Sequence, residues 1–210
     1  MVTINYDKCV GCGKCAAVCP GIVIFMRDGL PAVVGDGCIA CGHCVETCTH
    51  GAVSIDTQLA EAPKPQSELE KNILTRRSTR NFLPAAPERA VLERALSVAA
   101  WAPSAKNQNK NGWAVVYGRD KVRALLDAAL AWCRENGKNR GIVRLTESVK
   151  NLVTCDAPCL VFAWADADAH NPAVDCAIAM TTLELLLHEK NVATCWGGFA
   201  TRLFASDPAL

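Results

Sequence analysis

Residues 9–20 read CVGCGKCAAVCP and residues 38–50 read CIACGHCVETCTH, and these two stretches decide the fold of the first part of the chain. In each stretch, four cysteines are separated by two, two and three residues. A loop with a thiol at every third position can wrap three thiolates around a cubane of iron and sulfide, and the fourth cysteine then reaches another cluster. The spacing therefore predicts two 4Fe–4S clusters that exchange one ligand between the blocks. The ligand sets are Cys9, Cys12, Cys15 and Cys48 for cluster one, and Cys38, Cys41, Cys44 and Cys19 for cluster two.

Zinc is the alternative for these cysteines, because Cys-x2-Cys pairs also bind zinc. A zinc site needs four ligands, usually as two pairs joined by a longer loop, whereas each block here places four cysteines within 11 residues. Gly11, Gly13 and Gly42 lie between ligands, where the backbone must pass close to sulfide and donate N–H groups to it. The pattern favours clusters over zinc, and we expect His43 and His50 to be surface or neighbouring residues rather than iron ligands.

Composition and charge narrow the classes of protein and partner. The 210 residues contain 22 Lys and Arg against 21 Asp and Glu, which gives no electrostatic basis for binding nucleic acid or a membrane surface. The 13 cysteines follow an N-terminus without an apolar signal segment, and no later run reaches the ~18 apolar residues of a membrane span. We therefore expect metal ligands in a reducing cytoplasm rather than disulfides.

The two cysteine blocks resemble the two halves of the bacterial two-4Fe–4S ferredoxins. The resemblance implies a small ferredoxin-like βαββαβ domain over residues 1–58, with short strands at Val2–Asn5, Ile22–Phe25 and Ala52–Ile55. Thr49 stands where that family usually has a proline, which is not a ligand.

A second domain follows a predicted linker over residues 59–67, where Pro63 and Pro65 stand among small and polar residues. Residues 68–210 show the pattern of an α+β domain with more helix than strand, and Pro87 suits the first turn of one helix. The predicted helices are Glu68–Arg77, Pro87–Trp101, Lys121–Glu135 and Ala173–Lys190, and the predicted strands are Trp113–Gly118 and Pro158–Ala165.

Two polar segments of this domain are candidate binding sites. RRSTRNF, residues 76–82, places three arginines and a serine together, which would suit a phosphate or simply form a solvated basic helix end. APSAKNQNKNGWAVV, residues 102–116, is rich in amide side chains that could bond a heteroaromatic ring or form a solvated turn.

In this order and at this spacing, the two segments resemble the nitroreductase family of FMN-dependent oxidoreductases. The resemblance implies a central sheet surrounded by helices and an FMN site. The segment ATCWGGFA agrees, because it is similar to the family segment whose backbone runs under the flavin ring, near its reactive nitrogen. The implied FMN contacts are Arg76, Arg77, Ser78 and Arg80 for the phosphate and ribityl chain, Pro103, Ser104, Asn107 and Asn109 in the polar loop, and Gly197 and Gly198 under the ring.

Two features of the sequence depart from the family pattern, and five cysteines have no role in it. Asn109 and Lys110 replace the usual Gln-Pro of the loop. Family members usually continue beyond the final LFASDPAL, so we expect either a shortened form or a phosphate site that relies on the arginine segment alone. The cysteines outside the two blocks are expected to be small core residues: Cys133, Cys155, Cys159, Cys176 and Cys195.

The combination implies a cytoplasmic iron–sulfur flavoprotein oxidoreductase that passes electrons from a soluble low-potential donor through two clusters to FMN and on to a nitroaromatic, quinone or activated alkene. The resemblance also implies a homodimer, and no residue is nominated as a proton donor, so the chemistry is expected at the flavin. The alternative is an electron-transfer ferredoxin module whose second domain has lost flavin and serves docking or oligomerisation. A third possibility, the rearrangement or breakdown of a flavin or a halogenated aromatic, has no distinguishing residue.

Overall fold

The structure, a computed structural model, describes residues 1–56, 62–148 and 151–206. The chain divides into two units, Met1–Pro63 and Lys64–Leu210. Residues 57–61, which include the start of the predicted linker, and the last four residues of the chain lie outside the described residues. No helix within the described ranges is long and apolar enough to cross a membrane.

The N-terminal unit has the βαββαβ order that the resemblance implied. Strands β1 and β4 pair antiparallel, with Val2 opposite Ile55, so the first and last strands of the unit close on each other. Strands β2 and β3 form an antiparallel hairpin. The elements are β1 (Val2–Ile4), α1 (Lys14–Val18), β2 (Ile24–Arg27), β3 (Leu30–Val33), α2 (His43–Glu46) and β4 (Val53–Ile55).

Glycines permit the tight turns between the cysteines. Gly13 and Gly42 precede α1 and α2 with φ angles of 72° and 80°, in the left-handed region that side chains with a Cβ disfavour. A Cβ on Gly11 would stand 2.5 Å from the carbonyl oxygen of Gly29, so the backbone approach there requires glycine. The short helices begin after these turns, and each places a cysteine (Cys15 in α1, for example) in the core.

Among its described residues, the C-terminal unit contains six helices, two strands and one short 3-10 turn at Ala105–Asn107. Its strands β5 and β6 pair antiparallel over their whole length, from Asn111 opposite Ala165 to Tyr117 opposite Cys159. The elements are α3 (Glu68–Thr75), α4 (Arg89–Ala99), β5 (Asn111–Tyr117), α5 (Arg119–Glu135), α6 (Arg140–Ser148), β6 (Cys159–Ala165), α7 (Pro172–Glu189) and α8 (Gly198–Phe204).

Some predicted features of this unit need correction. The helix expected to include Pro87 begins only at Arg89, with Glu88 as its N-cap, so Pro87 precedes the first turn. Helices α6 and α8 were not predicted. The Gly197–Gly198 pair within ATCWGGFA hid the start of α8, since glycine is a poor helix former and usually indicates a turn.

Helix α7 provides the side chains that bind the polar loop and the segment beside the arginines. It buries one side chain in each turn, at Asp175, Ala179, Leu183 and Leu187, because residues four apart lie on one face of a helix. Leu183 and Leu187 pack with buried residues of α4 in one apolar core. Helices α5, α6 and α8 form a second core, where Leu203 is fully buried.

Candidate functional site

The cysteines of the N-terminal unit surround two cavities. All four thiols of each predicted ligand set line the same cavity, so the structure brings together residues from both blocks at each one. The first cavity is lined by Cys9, Cys12, Cys15 and Cys48, together with Val10, Gly13, Lys14, Pro31, His50, Ala52 and Val53. The second is lined by Cys19, Cys38, Cys41 and Cys44, together with Val2, Pro20, Gly21, Val23, Ile39 and Ile55.

The donor chemistry of these cavities fits iron–sulfur clusters. Burial raises the pKa of the Cys15 thiol, and it raises the pKa of Cys44 to about 11. A thiolate in such surroundings needs cationic compensation, which metal coordination supplies. Among the described residues, no three Cys, His, Asp or Glu side chains converge closely enough to hold a single metal ion. The four thiols instead surround a cavity, which is the arrangement that a cluster of several metal ions requires.

The two histidines near the cavities differ in their surroundings. His50 is exposed, lines the first cavity and has its Nδ1 3.2 Å from the Thr49 hydroxyl. His43 is half-buried, and its Nδ1 is buried without a hydrogen-bond partner among the described residues. Cys48 receives a backbone hydrogen bond from Ala52 N–H at 3.3 Å, which lowers the pKa of its thiol.

In the C-terminal unit, the arginine segment lies beside the segment that precedes α8. Ser78 forms a parallel bridge with Thr194, and the Thr79 N–H donates to the Thr194 carbonyl at 2.8 Å. The Thr194 hydroxyl donates in turn to a carboxylate oxygen of Glu184 in α7, at 3.1 Å. The structure therefore brings together two of the three predicted flavin segments and attaches them to α7.

The arginines of this segment do not share one role. The Arg77 guanidinium donates to the carbonyls of Leu74 and Arg76 at 2.7 and 2.9 Å, so it caps the C-terminal end of α3. Arg76 and Arg80 are half-buried, and their positive charges lower the pKa of the Cys195 thiol. The Arg77 contacts match the basic helix end that was the alternative interpretation of this segment.

Cys195 has surroundings with opposing effects. Burial raises the pKa of its thiol, the charges of Arg80 and Arg76 oppose that rise, and the Glu184 carboxylate adds to it. A hydrogen bond between Ser78 and the Cys195 side chain also lowers the pKa. The thiol is therefore neutral at neutral pH, and it is surrounded by the same groups that are candidates for binding phosphate.

Hydrogen bonds between residues of the same loop stabilise the polar loop of residues 102–110. Ser104 Oγ accepts a hydrogen bond from Asn109 N–H at 2.9 Å and donates to Asn109 Oδ1 at 3.0 Å. The Asn109 side chain is thus used within the loop. Asn107 is exposed, with a φ of 53°, and its side chain makes no hydrogen bond to any part of the chain that the structure describes. Pro103 is also exposed.

A buried carboxylate that the sequence analysis missed holds this loop. Asp175, in the first turn of α7, is 5% exposed and accepts the Ala105 N–H at 2.9 Å. Its position among apolar helix residues is the only sequence signal for this role. Asp175 binds the loop directly, whereas Glu184 binds Thr194, which is bridged to Ser78 of the arginine segment. Nine residues at 1.5 Å each place Asp175 and Glu184 about 13.5 Å apart along the helix axis.

Gly197, which precedes α8, and Gly198, its first residue, differ in the space that a Cβ atom would have. A Cβ on Gly197 would stand 3.1 Å from the Cβ of Ala200, whereas one on Gly198 would meet nothing within 4 Å among the described residues. The Gly198 N–H already donates to the Trp196 carbonyl at 3.1 Å. That N–H is already bonded to a neighbouring residue, whereas the space beside the Gly198 Cα is open among the described residues.

Only one of the five remaining cysteines is fully in the core. Cys133 is 1% exposed and packs in the core of α5, α6 and α8. The other four are half-buried rather than fully buried: Cys155, Cys159, Cys176 and Cys195. Cys159, at the start of β6, packs against the core that α4 and α7 share, as expected of a core residue.

Sequence comparison identifies two regions of the chain. A model of the nitroreductase family matches residues 73–205, and a model of a 4Fe-4S dicluster domain matches residues 1–49, which contain all eight cysteines of the two blocks. These two matches agree with a fusion of a dicluster domain and a nitroreductase domain. No curated protein matches the chain.

Solved structures share the fold of the C-terminal part. A nitroreductase with bound FMN from Desulfitobacterium hafniense is 26% identical, with a TM-score of 0.57 over 68% of this chain and 76% of that one. A nitroreductase with bound FMN from Bacteroides fragilis is 21% identical, with a TM-score of 0.56 over 63% and 71%. A nitroreductase-like family protein from Bacillus cereus is 22% identical, with a TM-score of 0.52 over 69% and 79%.

Proposed function

Because this chain belongs to the nitroreductase family, we propose that it is an FMN-dependent iron–sulfur oxidoreductase that takes electrons from a soluble low-potential donor and delivers them to a small organic electrophile. The observation that carries the proposal is that each cavity of the dicluster domain is lined by one complete set of four thiols, in a chain that continues into a nitroreductase domain. The solved relatives that carry FMN support a flavin in that second domain.

The cofactors would supply complementary chemistry: 4Fe–4S clusters transfer single electrons, and a flavin exchanges single electrons for hydride equivalents. The cysteine sets would hold the clusters. Arg76 and Arg80 would bind the FMN phosphate, since guanidinium groups suit phosphate oxygens and both lie beside the Ser78–Thr194 bridge. Asn107 would contact the flavin ring from its exposed position in the loop, and protons would come from water.

We propose a homodimer with the flavin at the subunit interface. Asp175, which binds the polar loop, and Glu184, which binds Thr194 beside the arginine segment, lie about 13.5 Å apart along α7. A ligand that contacts both segments would extend along this helix or across a second subunit. Large apolar side chains in the same unit are exposed, with Trp101 at 89% and Leu83 at 80%. A partner subunit that covered these side chains would remove their apolar surface from water, which supports the proposed dimer.

The substrate is proposed from chemistry rather than from a pocket. A flavin that receives electrons one at a time can reduce nitroaromatics, quinones or activated alkenes, and the proposed donor is a one-electron carrier in the same cytoplasmic compartment rather than a nicotinamide. The sequence contains no Gly-x-Gly-x-x-Gly fingerprint, which is consistent with that donor.

The first test is cofactor content after anaerobic purification. Iron near eight atoms per chain with matching sulfide, as expected for two 4Fe–4S clusters, and about one FMN per chain would support the proposal. Turnover of a nitroaromatic, a quinone and an activated alkene would follow, with dithionite and with NADH as alternative reductants. The same iron content with no flavin, even after FMN is added, would contradict the oxidoreductase and leave an electron carrier.

A further inference from the structure

The residues that line the two cluster cavities differ in charge. Apart from its thiols, the lining of the second cavity consists of apolar residues and glycine, and no charged side chain is found there among the described residues. The first cavity is lined by Lys14, whose side chain is exposed, and by His50. A positive charge beside the first cavity favours the more negative, reduced form of whatever cluster it holds.

A backbone hydrogen bond also reaches a thiol of the first set. The Ala52 N–H donates to Cys48 Sγ at 3.3 Å, in the first ligand set. Hydrogen bonds to cluster sulfur stabilise added negative charge, and they are one of the means by which a protein sets cluster potential.

Solvent exposure differs as well. Cys12 of the first set is exposed, whereas each cysteine of the second set is buried or half-buried. Burial disfavours the extra negative charge of a reduced cluster, because water no longer solvates it. The charge of the lining and the solvent exposure of the thiols therefore both favour reduction at the first cavity.

The internal repeat locates a charged residue that lines one cavity and has no charged counterpart among the described residues that line the other. When the two blocks are aligned on their cysteines, Lys14 corresponds to His43 and Val10 corresponds to Ile39. Val10 and Ile39 are both exposed, and Val10 lines the first cavity as Ile39 lines the second. Lys14 lines its cavity, whereas its counterpart His43 has a buried Nδ1 without a partner among the described groups.

We propose that the two clusters differ in reduction potential, and that Lys14 makes the cluster held by Cys9, Cys12, Cys15 and Cys48 the one of higher potential. A single electron entering the unit from a one-electron donor then resides mainly on that cluster, and no bond forms or breaks. The inference rests on the clusters of the proposed function but not on its flavin.

The experiment is an anaerobic redox titration of the full chain, followed by the EPR signals of the reduced clusters. We expect two resolved one-electron couples. In Lys14→Met the higher couple should fall while the lower stays in place, with a three- to tenfold loss in the preference of the electron for the first cluster, as expected for one partly screened charge. A tenfold change corresponds to about 59 mV for one electron.

Two further variants make the test independent of a single substitution. Ile39→Lys places a lysine at the second cavity and should raise the lower couple only. Lys8→Met removes a lysine that lines neither cavity among the described residues and should shift neither couple by a comparable amount.

Iron and sulfide are measured on every sample before titration, so loss of a cluster is distinguished from a change in potential. Iron well below eight atoms per wild-type chain would contradict the clusters themselves. The inference is overturned if the wild-type couples coincide, if Lys14→Met moves the lower couple or neither, or if Lys8→Met has the same effect as Lys14→Met. Absence of flavin, which would contradict the oxidoreductase, leaves this titration fully informative.

Discussion

The buried carboxylate of Asp175 accepts a hydrogen bond from the backbone N–H of Ala105 at 2.9 Å, and this bond ties the polar loop to the first turn of α7. The Asp175 N–H itself donates to the Asn171 carbonyl, so the residue is fixed on a regular helix. Through Asp175, a rigid element holds the loop that carries Asn107.

Replacing Asp175 tests this anchor. We expect Asp175→Ala to lower the free energy of unfolding by about 1–3 kcal/mol, because the Ala105 N–H loses its partner in a buried place. FMN affinity should fall as well, since the loop is no longer held. Chemical denaturation and flavin titration measure the two effects. Asp175→Asn, which keeps an acceptor oxygen, should lose less of both, and equal losses in the two variants would contradict a role for the hydrogen bond.

The two arginines beside Cys195 should differ from Arg77. Arg80→Ala is expected to weaken FMN binding at least tenfold, since it removes a charged phosphate partner. Arg77→Ala should leave affinity nearly unchanged and cost about 0.5–1.5 kcal/mol of stability, because it removes the bonds to the end of α3. Fluorescence titration with FMN and with riboflavin, which lacks the phosphate, checks the mechanism. A loss of riboflavin binding as large as that of FMN would count against the phosphate contact.

The glycines at the start of α8 provide a matched pair. A Cβ at position 198 meets nothing within 4 Å among the described residues, so Gly198→Ala should leave the melting temperature unchanged. FMN affinity should fall, because the added methyl group occupies the space proposed for the flavin ring. Gly197→Ala should lower the melting temperature slightly, since its Cβ is crowded by Ala200. Thermal melts of flavin-free protein and flavin titrations separate the effects. Unaltered affinity in Gly198→Ala would exclude the ring from this surface.

The exchange of ligands between the blocks predicts the outcome of single cysteine substitutions. Cys48→Ala and Cys19→Ala should each reduce the iron content from about eight to about four atoms per chain, because each removes one ligand from one cluster. Cys133→Ala is the matched control: it should keep all the iron and lose about 1 kcal/mol of stability from the core. Iron and sulfide assays decide the matter, and retention of eight iron atoms in Cys48→Ala would refute its place in the first set.

The Cys195 thiol should show its raised pKa in its reactivity. Since the thiolate is the nucleophile, alkylation of Cys195 by iodoacetamide at pH 8 should be slower than that of free cysteine, and its rate should still rise above pH 9. Arg80→Ala removes a charge that lowers this pKa, so it should slow the reaction further. Peptide mapping by mass spectrometry follows the site. A midpoint at or below that of free cysteine would contradict the dominance of burial.

Much of the secondary structure was predictable because its signals are local. The apolar periodicity of residues 121–135 and 173–190 predicted α5 and α7 to within two residues at either end, and the resemblance to the bacterial ferredoxins implied the βαββαβ order of the first unit. Pro87 and the glycines before α8 misled the prediction, because both residue types carry strong local preferences that neighbouring structure can override.

Residue identity and spacing alone determined that two sets of four thiols would be available and that one member of each set comes from the other block, since that follows from the reach of a short loop. Arg77 caps its own helix through local contacts, whereas the position of Arg76 and Arg80 near Cys195 was decided only by tertiary structure, through the Ser78–Thr194 bridge. The burial of Asp175 and the attachment of two binding segments to different turns of α7 also depend on tertiary structure. Each of these features joins residues distant in sequence, and no local preference encodes such contacts.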